Sequence, residues 1–135
     1  MRRVEIYDTT LRDGAQSEAM SFSVEDKLRI TQKLDFLGVH YIEGGWPGSN
    51  PKDLLYFKEV KQLDLKTAKI VAFGATRKAT LKVSEDPSIL SLLHAGTSIV
   101  TLFGKSWNLH VKEVLGVPEK KNLQLISDSI AYLRS

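Results

Sequence analysis

Four polar clusters in this sequence carry the residue types that chemistry needs. The first is Asp8, Arg12, Asp13 and Gln16, within Asp8-Thr-Thr-Leu-Arg12-Asp13-Gly14. The second is Glu43, followed by Gly44-Gly45-Trp46. The third is Thr76 with Arg77, and the fourth is Lys105, Ser106, Trp107, Asn108 and His110. Asp13, beside a glycine, can offer a carboxylate to a divalent cation, and magnesium or manganese prefers such oxygen ligands. Arg12 carries a permanent charge that can stabilise a developing alkoxide or enolate. Together they suit a 2-keto acid, whose carbonyl and carboxylate can chelate the metal while the arginine polarises the carbonyl. One carboxylate does not make a metal site, and at least two more ligands are required. A structural role is also open to Arg12, because a pair with Glu43 would tie two strand ends together. His40 and His94 fall at a strand start and a helix end, where structural roles are expected, whereas His110 lies closer to the polar clusters. There is no HxH or HExxH pair, no phosphate loop and no GxGxxG turn, which argues against nucleotide binding through those devices.

The elements that must position these residues read as one pattern repeated four times. Val4 to Tyr7 is a short strand. Ser23 starts a helix with Asp26 as its capping-box partner, and Val24, Leu28, Thr31, Leu34 and Leu37 recur at helical spacing before Gly38. Val39 to Glu43 is a second strand, and Asn50-Pro51 with Asp53 behind opens a second helix. Lys69 to Ala75 holds the apolar run Ile70-Val-Ala-Phe73 of a strand buried on both faces. Asp86-Pro87 opens a third helix, which Gly96 closes, and Ser98 to Phe103 is a fourth strand. Glu119 to Leu133 forms the last helix, with Leu123, Ile126, Ile130 and Leu133 on one face, preceded by a short helix near Trp107 to Leu115.

Strands alternating with helices imply parallel pairing through right-handed crossovers. Two closures remain: a small open sheet of flavodoxin type, or part of a (β/α)8 barrel. In both, chemistry sits at the carboxyl ends of the strands, and every polar cluster lies there. No linker or domain boundary interrupts residues 1–135.

The rest of the composition narrows the class. A 42% apolar and 26% charged chain of 135 residues is a globular domain with a core. No apolar run approaches the roughly 20 residues of a membrane span, and no signal-peptide core follows Met1, so a cytoplasmic protein is expected. The absence of cysteine excludes disulfides, thiolate metal sites and a cysteine nucleophile. The net charge of +3 is spread along the chain rather than blocked, so no nucleic-acid partner is expected.

Tyr7-Asp-Thr-Thr-Leu-Arg-Asp-Gly14 resembles the first-strand signature of the DRE-TIM metallolyases. These include isopropylmalate, homocitrate and citramalate synthases and hydroxymethylglutaryl-CoA lyase. Ala15-Gln16-Ser17, Ser21 to Lys27, Tyr41 to Asp53, Phe73-Gly-Ala-Thr-Arg77 and Phe103-Gly-Lys-Ser-Trp107 resemble the citramalate synthase branch. The resemblance spans essentially the whole chain and implies the N-terminal half, about four βα units, of a (β/α)8 TIM barrel forming a single partial catalytic domain over 1–135. It implies a divalent metal (Mg, Mn or Zn) with Asp13 as its first ligand. Arg12 would bind the 2-keto acid and stabilise charge on its carbonyl oxygen, and Glu43 would sit at the substrate pocket and orient Arg12. Gln16, Arg77 and Lys105 would neighbour the substrate.

The implied reaction condenses acetyl-CoA, as co-substrate, with pyruvate to give citramalate and CoA, in a homo-oligomer. Isopropylmalate or homocitrate synthase activity is the nearest alternative, and a carbon–carbon lyase is a third. The family's remaining ligands, an HxH pair, and its catalytic glutamate come from later strands, beyond Ser135. The expectation is therefore a fragment that is inactive alone, or a half-barrel that serves only as a self-assembling module.

Overall fold

The computed structural model describes residues 3–135. Four strands, β1 (Tyr7–Asp8), β2 (Tyr41–Gly45), β3 (Lys69–Ala75) and β4 (Ile99–Phe103), alternate with α1 (Val24–Phe36), α2 (Pro51–Glu59) and α3 (Pro87–Ala95). After β4 come the short α4 (Asn108–Glu113) and the long α5 (Glu119–Arg134). The helix starts are encoded locally. Ser23 and Asp26 form a full capping box, Asn50 accepts from the Asp53 N–H, and Asp86 accepts from the Ser88 and Ile89 N–H groups. Gly96 closes α3 at φ 65°, a conformation that costs glycine no Cβ clash.

The strands are all parallel and lie in the order β1-β2-β3-β4. That order separates the two closures, because a flavodoxin sheet moves its second strand outside the first, whereas a barrel adds each strand beside the last. The sheet also curls. In a flat sheet β1 and β4 would stand about 14 Å apart, three strand spacings, yet the Tyr7 hydroxyl lies 2.7 Å from Thr101 Oγ1. The outer side of the curl carries Ile42, Ile70, Ala72, Val100 and Leu102, which pack on Tyr56, Phe57, Ile89 and Leu92 of the helices. A Cβ on Gly74 would come within 2.9 Å of Leu92 Cδ1, so α3 rests directly on β3. The two-residue strand period then sends Tyr7, Glu43, Val71, Phe73, Thr101 and Phe103 to the inner side. Gly44 is an extra residue in the β2–β3 register, a bulge that turns the chain just beyond Glu43.

Four expectations are corrected. The first strand does not begin at Val4; it occupies Tyr7–Asp8, and Val4 and Ile6 are exposed. Pairing starts only where the Ile6 carbonyl accepts from His40 and Tyr41 N–H. The second strand lies two residues later than expected, because Gly38 (φ 81°) and Val39 donate back to Asp35 and Leu34 and belong to the end of α1. Glu43 is therefore mid-strand. Leu37, placed on the buried face, is exposed because α1 ends at Phe36.

The fourth correction concerns α5, which buries Asn122, Leu125 and Ser129 rather than Leu123 and Ile130. Asn122 Nδ2 donates to the Lys105 carbonyl and Ser129 Oγ accepts the Arg77 N–H, so two strand-end loops hold polar positions of this helix against the sheet. Among the described residues no helix is long and apolar enough to cross a membrane.

Candidate active site

The loop after β1 is wound tightly by its own backbone. The N–H groups of Arg12, Asp13 and Gly14 all reach the Thr9 carbonyl, and the Asp8 carboxylate accepts from Thr10 N–H and Oγ. Leu11, 1% exposed, anchors the loop in the core. Its neighbour Arg12 is thereby turned onto the inner side of the curled sheet.

There Arg12 meets Glu43, which is itself only 1% exposed. Arg12 Nε donates to Glu43 Oε1 at 2.5 Å, and the Tyr7 hydroxyl donates to Glu43 Oε2. Both oxygens of a buried carboxylate are thus satisfied, as burial of a charge requires. The Tyr7 hydroxyl is pushed up to about 12 by burial and then by its bond to Glu43, so at neutral pH it stays protonated and donates. The Arg12 guanidinium carbon sits 4.1 Å from the centre of the Phe73 ring, a cation–π contact. Arg12 Nη1 donates to Asp13 Oδ1 at 2.8 Å, while Nη2 has no partner among the described residues. The arginine is held on three sides and keeps its Nη2 without a partner among the described residues.

The aromatic bed extends along the strand ends. Trp46 packs edge-on against Phe73 at 5.7 Å, and Phe103 lies 6.5 Å from Phe73. Lys105 Nζ stands 4.8 Å over Phe103, so Lys105 joins this row. Gln16 is exposed and shares with Arg12 and Trp46 a pocket of about 300 Å³. Trp46 Nε1 is buried with no acceptor among the described residues, at a cost of about 1–3 kcal/mol.

Arg77 goes elsewhere. Its Nε and Nη2 donate to Asp128 of α5 and its Nη1 to the Lys78 and Leu81 carbonyls, so the structure does not bring it to Arg12. His40 Nδ1 accepts the Ile6 N–H, His94 is exposed on α3, and His110 packs on the Trp107 ring. Tyr7, Thr101 and Phe73 were given no individual role from sequence. The signal that finds them is strand phase: each occupies the inward position of its strand, as Glu43 does.

Asp13 offers an exposed carboxylate, but among the described residues no group of three or more His, Cys, Asp or Glu could hold a metal ion. Residues 3–135 do not by themselves fit a divalent cation. What they assemble is a preorganised cation for an oxyanion, beside an acidic side chain and an aromatic floor.

Comparison with known proteins gives the family and the fold. The chain is 55% identical over 132 residues to an (R)-citramalate synthase of Aquifex aeolicus, covering 98% of this chain and 25% of that protein. It is 53% identical to the (R)-citramalate synthase of Geobacter sulfurreducens, covering 100% of this chain and 26% of that protein. The chain thus spans about a quarter of the length of these relatives. Hydroxymethylglutaryl-CoA lyase from Pseudomonas aeruginosa superposes with a TM-score of 0.71 at 22% identity, covering 98% of this chain and 42% of that one. The fold is accordingly the N-terminal half of a (β/α)8 barrel. The HMGL-like family matches residues 3–135, the same span that builds the curled sheet and its Arg12 cluster, and the chain belongs to that family.

Proposed function

We propose that residues 1–135 are part of the catalytic barrel of a Claisen-condensing acyltransferase that joins acetyl-CoA to a 2-keto acid, with pyruvate preferred. The observation that carries this reading is the pose of Arg12, fixed by Glu43 and Phe73 with Nη2 left for a ligand. The similarity to citramalate synthases supports pyruvate as the keto acid.

In this reading Nη2 binds a keto-acid oxygen, and the guanidinium charge stabilises the alkoxide that develops on the carbonyl as the new carbon–carbon bond forms. Glu43 keeps Arg12 from swinging away, and Tyr7 holds Glu43. A base outside the residues gathered here removes the acetyl methyl proton. Water then cleaves the thioester to release citramalate and CoA. Asp13 would contribute one ligand to a divalent metal whose other ligands lie outside this set. Gln16 and Lys105 stay with the substrate as rim contacts, whereas Arg77 serves by holding the loop after β3.

The test is CoA thiol release by the complete protein with acetyl-CoA and pyruvate, with and without a chelator. Metal-dependent release with pyruvate is expected. Release only with 2-ketoisovalerate or 2-ketoglutarate would replace citramalate by isopropylmalate or homocitrate as product, and no release with any keto acid overturns the assignment.

A second reading, a self-assembling half-barrel, is favoured by one observation. The inner face exposes Tyr7 and Phe103, and an open apolar groove of about 550 Å³ runs beside β4 between Leu92, Ile99, Leu102 and Leu133. Sedimentation of the 135-residue chain decides it: dimers keep this reading and monomers remove it.

A further inference from the structure

The helix α1 buries a lysine. Lys27 is 1% exposed, and its Nζ donates to Asp53 Oδ1 at 2.5 Å. Burial draws the ammonium down from its usual range, and the bond to Asp53 opposes that shift. A buried ion pair adds little net stability over an apolar pair of similar volume. Stability is therefore a weak account of why the charges are there, and what the pair holds is more informative.

Asp53 uses its second oxygen on the backbone. Oδ2 accepts the Trp46 N–H at 2.9 Å, while the Asp53 N–H is itself fixed on Asn50 Oδ1 at 2.8 Å. The carboxylate lies flat against Gly45, where a Cβ would stand 2.6 Å from Oδ2, at a φ of 148° that favours glycine. The turn Gly44-Gly45-Trp46 is thus clamped from beneath at the point where the chain leaves β2. The Trp46 indole then packs edge-on against Phe73, and Phe73 also carries the Arg12 guanidinium over its ring. Lys27, Asp53, Trp46 and Arg12 also line one pocket.

We infer that Lys27 and Asp53 are positioning residues for Arg12, acting through the Trp46 backbone and the Trp46–Phe73 stack. The inference rests on the proposed condensing function for its kinetic readout, and on no activity for its spectroscopic one. The lysine's task is to hold the Asp53 carboxylate in its aim. The aspartate's task is to accept from Trp46 N–H.

Two double variants of the complete protein separate these tasks from simple packing. K27M/D53L fills the slot with apolar side chains but removes the acceptor, whereas K27M/D53N also removes the charges but keeps an amide oxygen for Trp46 N–H. With K27M/D53L, kcat is expected to fall about 10-fold to 100-fold while KM for pyruvate moves less than about threefold, as for a misplaced transition-state group. With K27M/D53N most of that loss is recovered. Native kcat in K27M/D53L overturns the inference, and so does equal loss in both.

If K27M/D53L does not fold, G45A replaces it, since the new Cβ pushes the Asp53 carboxylate off Trp46 N–H; native kcat there also overturns the inference. Acrylamide quenching of Trp46, read as the signal lost in matched W46F controls, should rise in K27M/D53L and return toward native in K27M/D53N. If the native protein releases no CoA, the proposed function fails on its own and the quenching alone decides the clamp, with unchanged quenching overturning it.

Discussion

Arg12 follows β1 and Arg77 follows β3, and each meets a carboxylate, Glu43 in one case and Asp128 in the other. Both stand just past a strand's carboxyl end, and from sequence both are candidates for an anionic substrate. Their partners come from opposite directions. Glu43 belongs to the inner face of the neighbouring strand, so Arg12 is drawn inward over Phe73 and keeps Nη2 unpaired among the described residues. Asp128 belongs to α5 on the outer side. Arg77 is drawn outward, and Asp128 and two backbone carbonyls take up all three of its nitrogens. A cation past a strand is a site residue only if its partner leaves it a donor on the side where substrate lies.

The comparison breaks most decisively at Arg12. R12K in the complete protein keeps the charge but loses the fork that bonds Glu43 and a ligand together. A drop of about 10²- to 10³-fold in kcat/KM is expected, measured as CoA release with pyruvate. A change under about threefold would reduce Arg12 to a strand-end tie, the same kind of role that Arg77 has.

At Arg77 the large effect should be on folding. R77A leaves Asp128 and two loop carbonyls without their donor, and should cost about 3 kcal/mol in urea unfolding with KM for pyruvate unmoved. A raised KM with native stability would return Arg77 to the substrate.

Tyr7 gives a smaller, two-part prediction. Y7F removes one bond to the charged Glu43 and should lower kcat/KM by about 3- to 10-fold. The folded-state value of Tyr7 is raised from 10.0 to about 12, so the folded chain holds this proton longer than the unfolded one. Its contribution is complete below the unfolded value and is lost as pH rises from about 10 to about 12. Denaturation curves across that window should flatten in Y7F; an unchanged slope would mean Tyr7 titrates normally.

The smallest effect is expected at Ser129, whose hydroxyl accepts the Arg77 N–H at 2.9 Å and donates to the Leu125 carbonyl at 2.7 Å. S129A should cost about 1 kcal/mol and leave CoA release intact.

Much of this architecture is legible along the chain. The capping box at Ser23, the Asn50-Pro51 and Asp86-Pro87 starts and the Gly96 stop mark helix ends where the structure has them, and the short helix before α5 is present. The site is legible as a list of loops after strands. It is not legible as a set of contacts: the apolar spacing of α1 does not include Lys27, which is buried, while Leu123 and Ile130 read as one packed face and are exposed.

The reason is range. A cap or glycine stop joins groups within about four residues, so neighbouring residue types determine it. The sequence by itself thus determined where the capped helices begin, that strands and helices alternate, and that Arg12 and Asp13 sit beyond the first strand. The bonds that make the site join residues 26, 31 and 94 positions apart, in Lys27–Asp53, Arg12–Glu43 and Tyr7–Thr101. Which of these partners meet depends on strand order, on the inward or outward phase of each strand and on the curl of the sheet. Only the tertiary structure decided those, and with them that Arg12 turns to the inner side of the sheet while Arg77 turns to a helix.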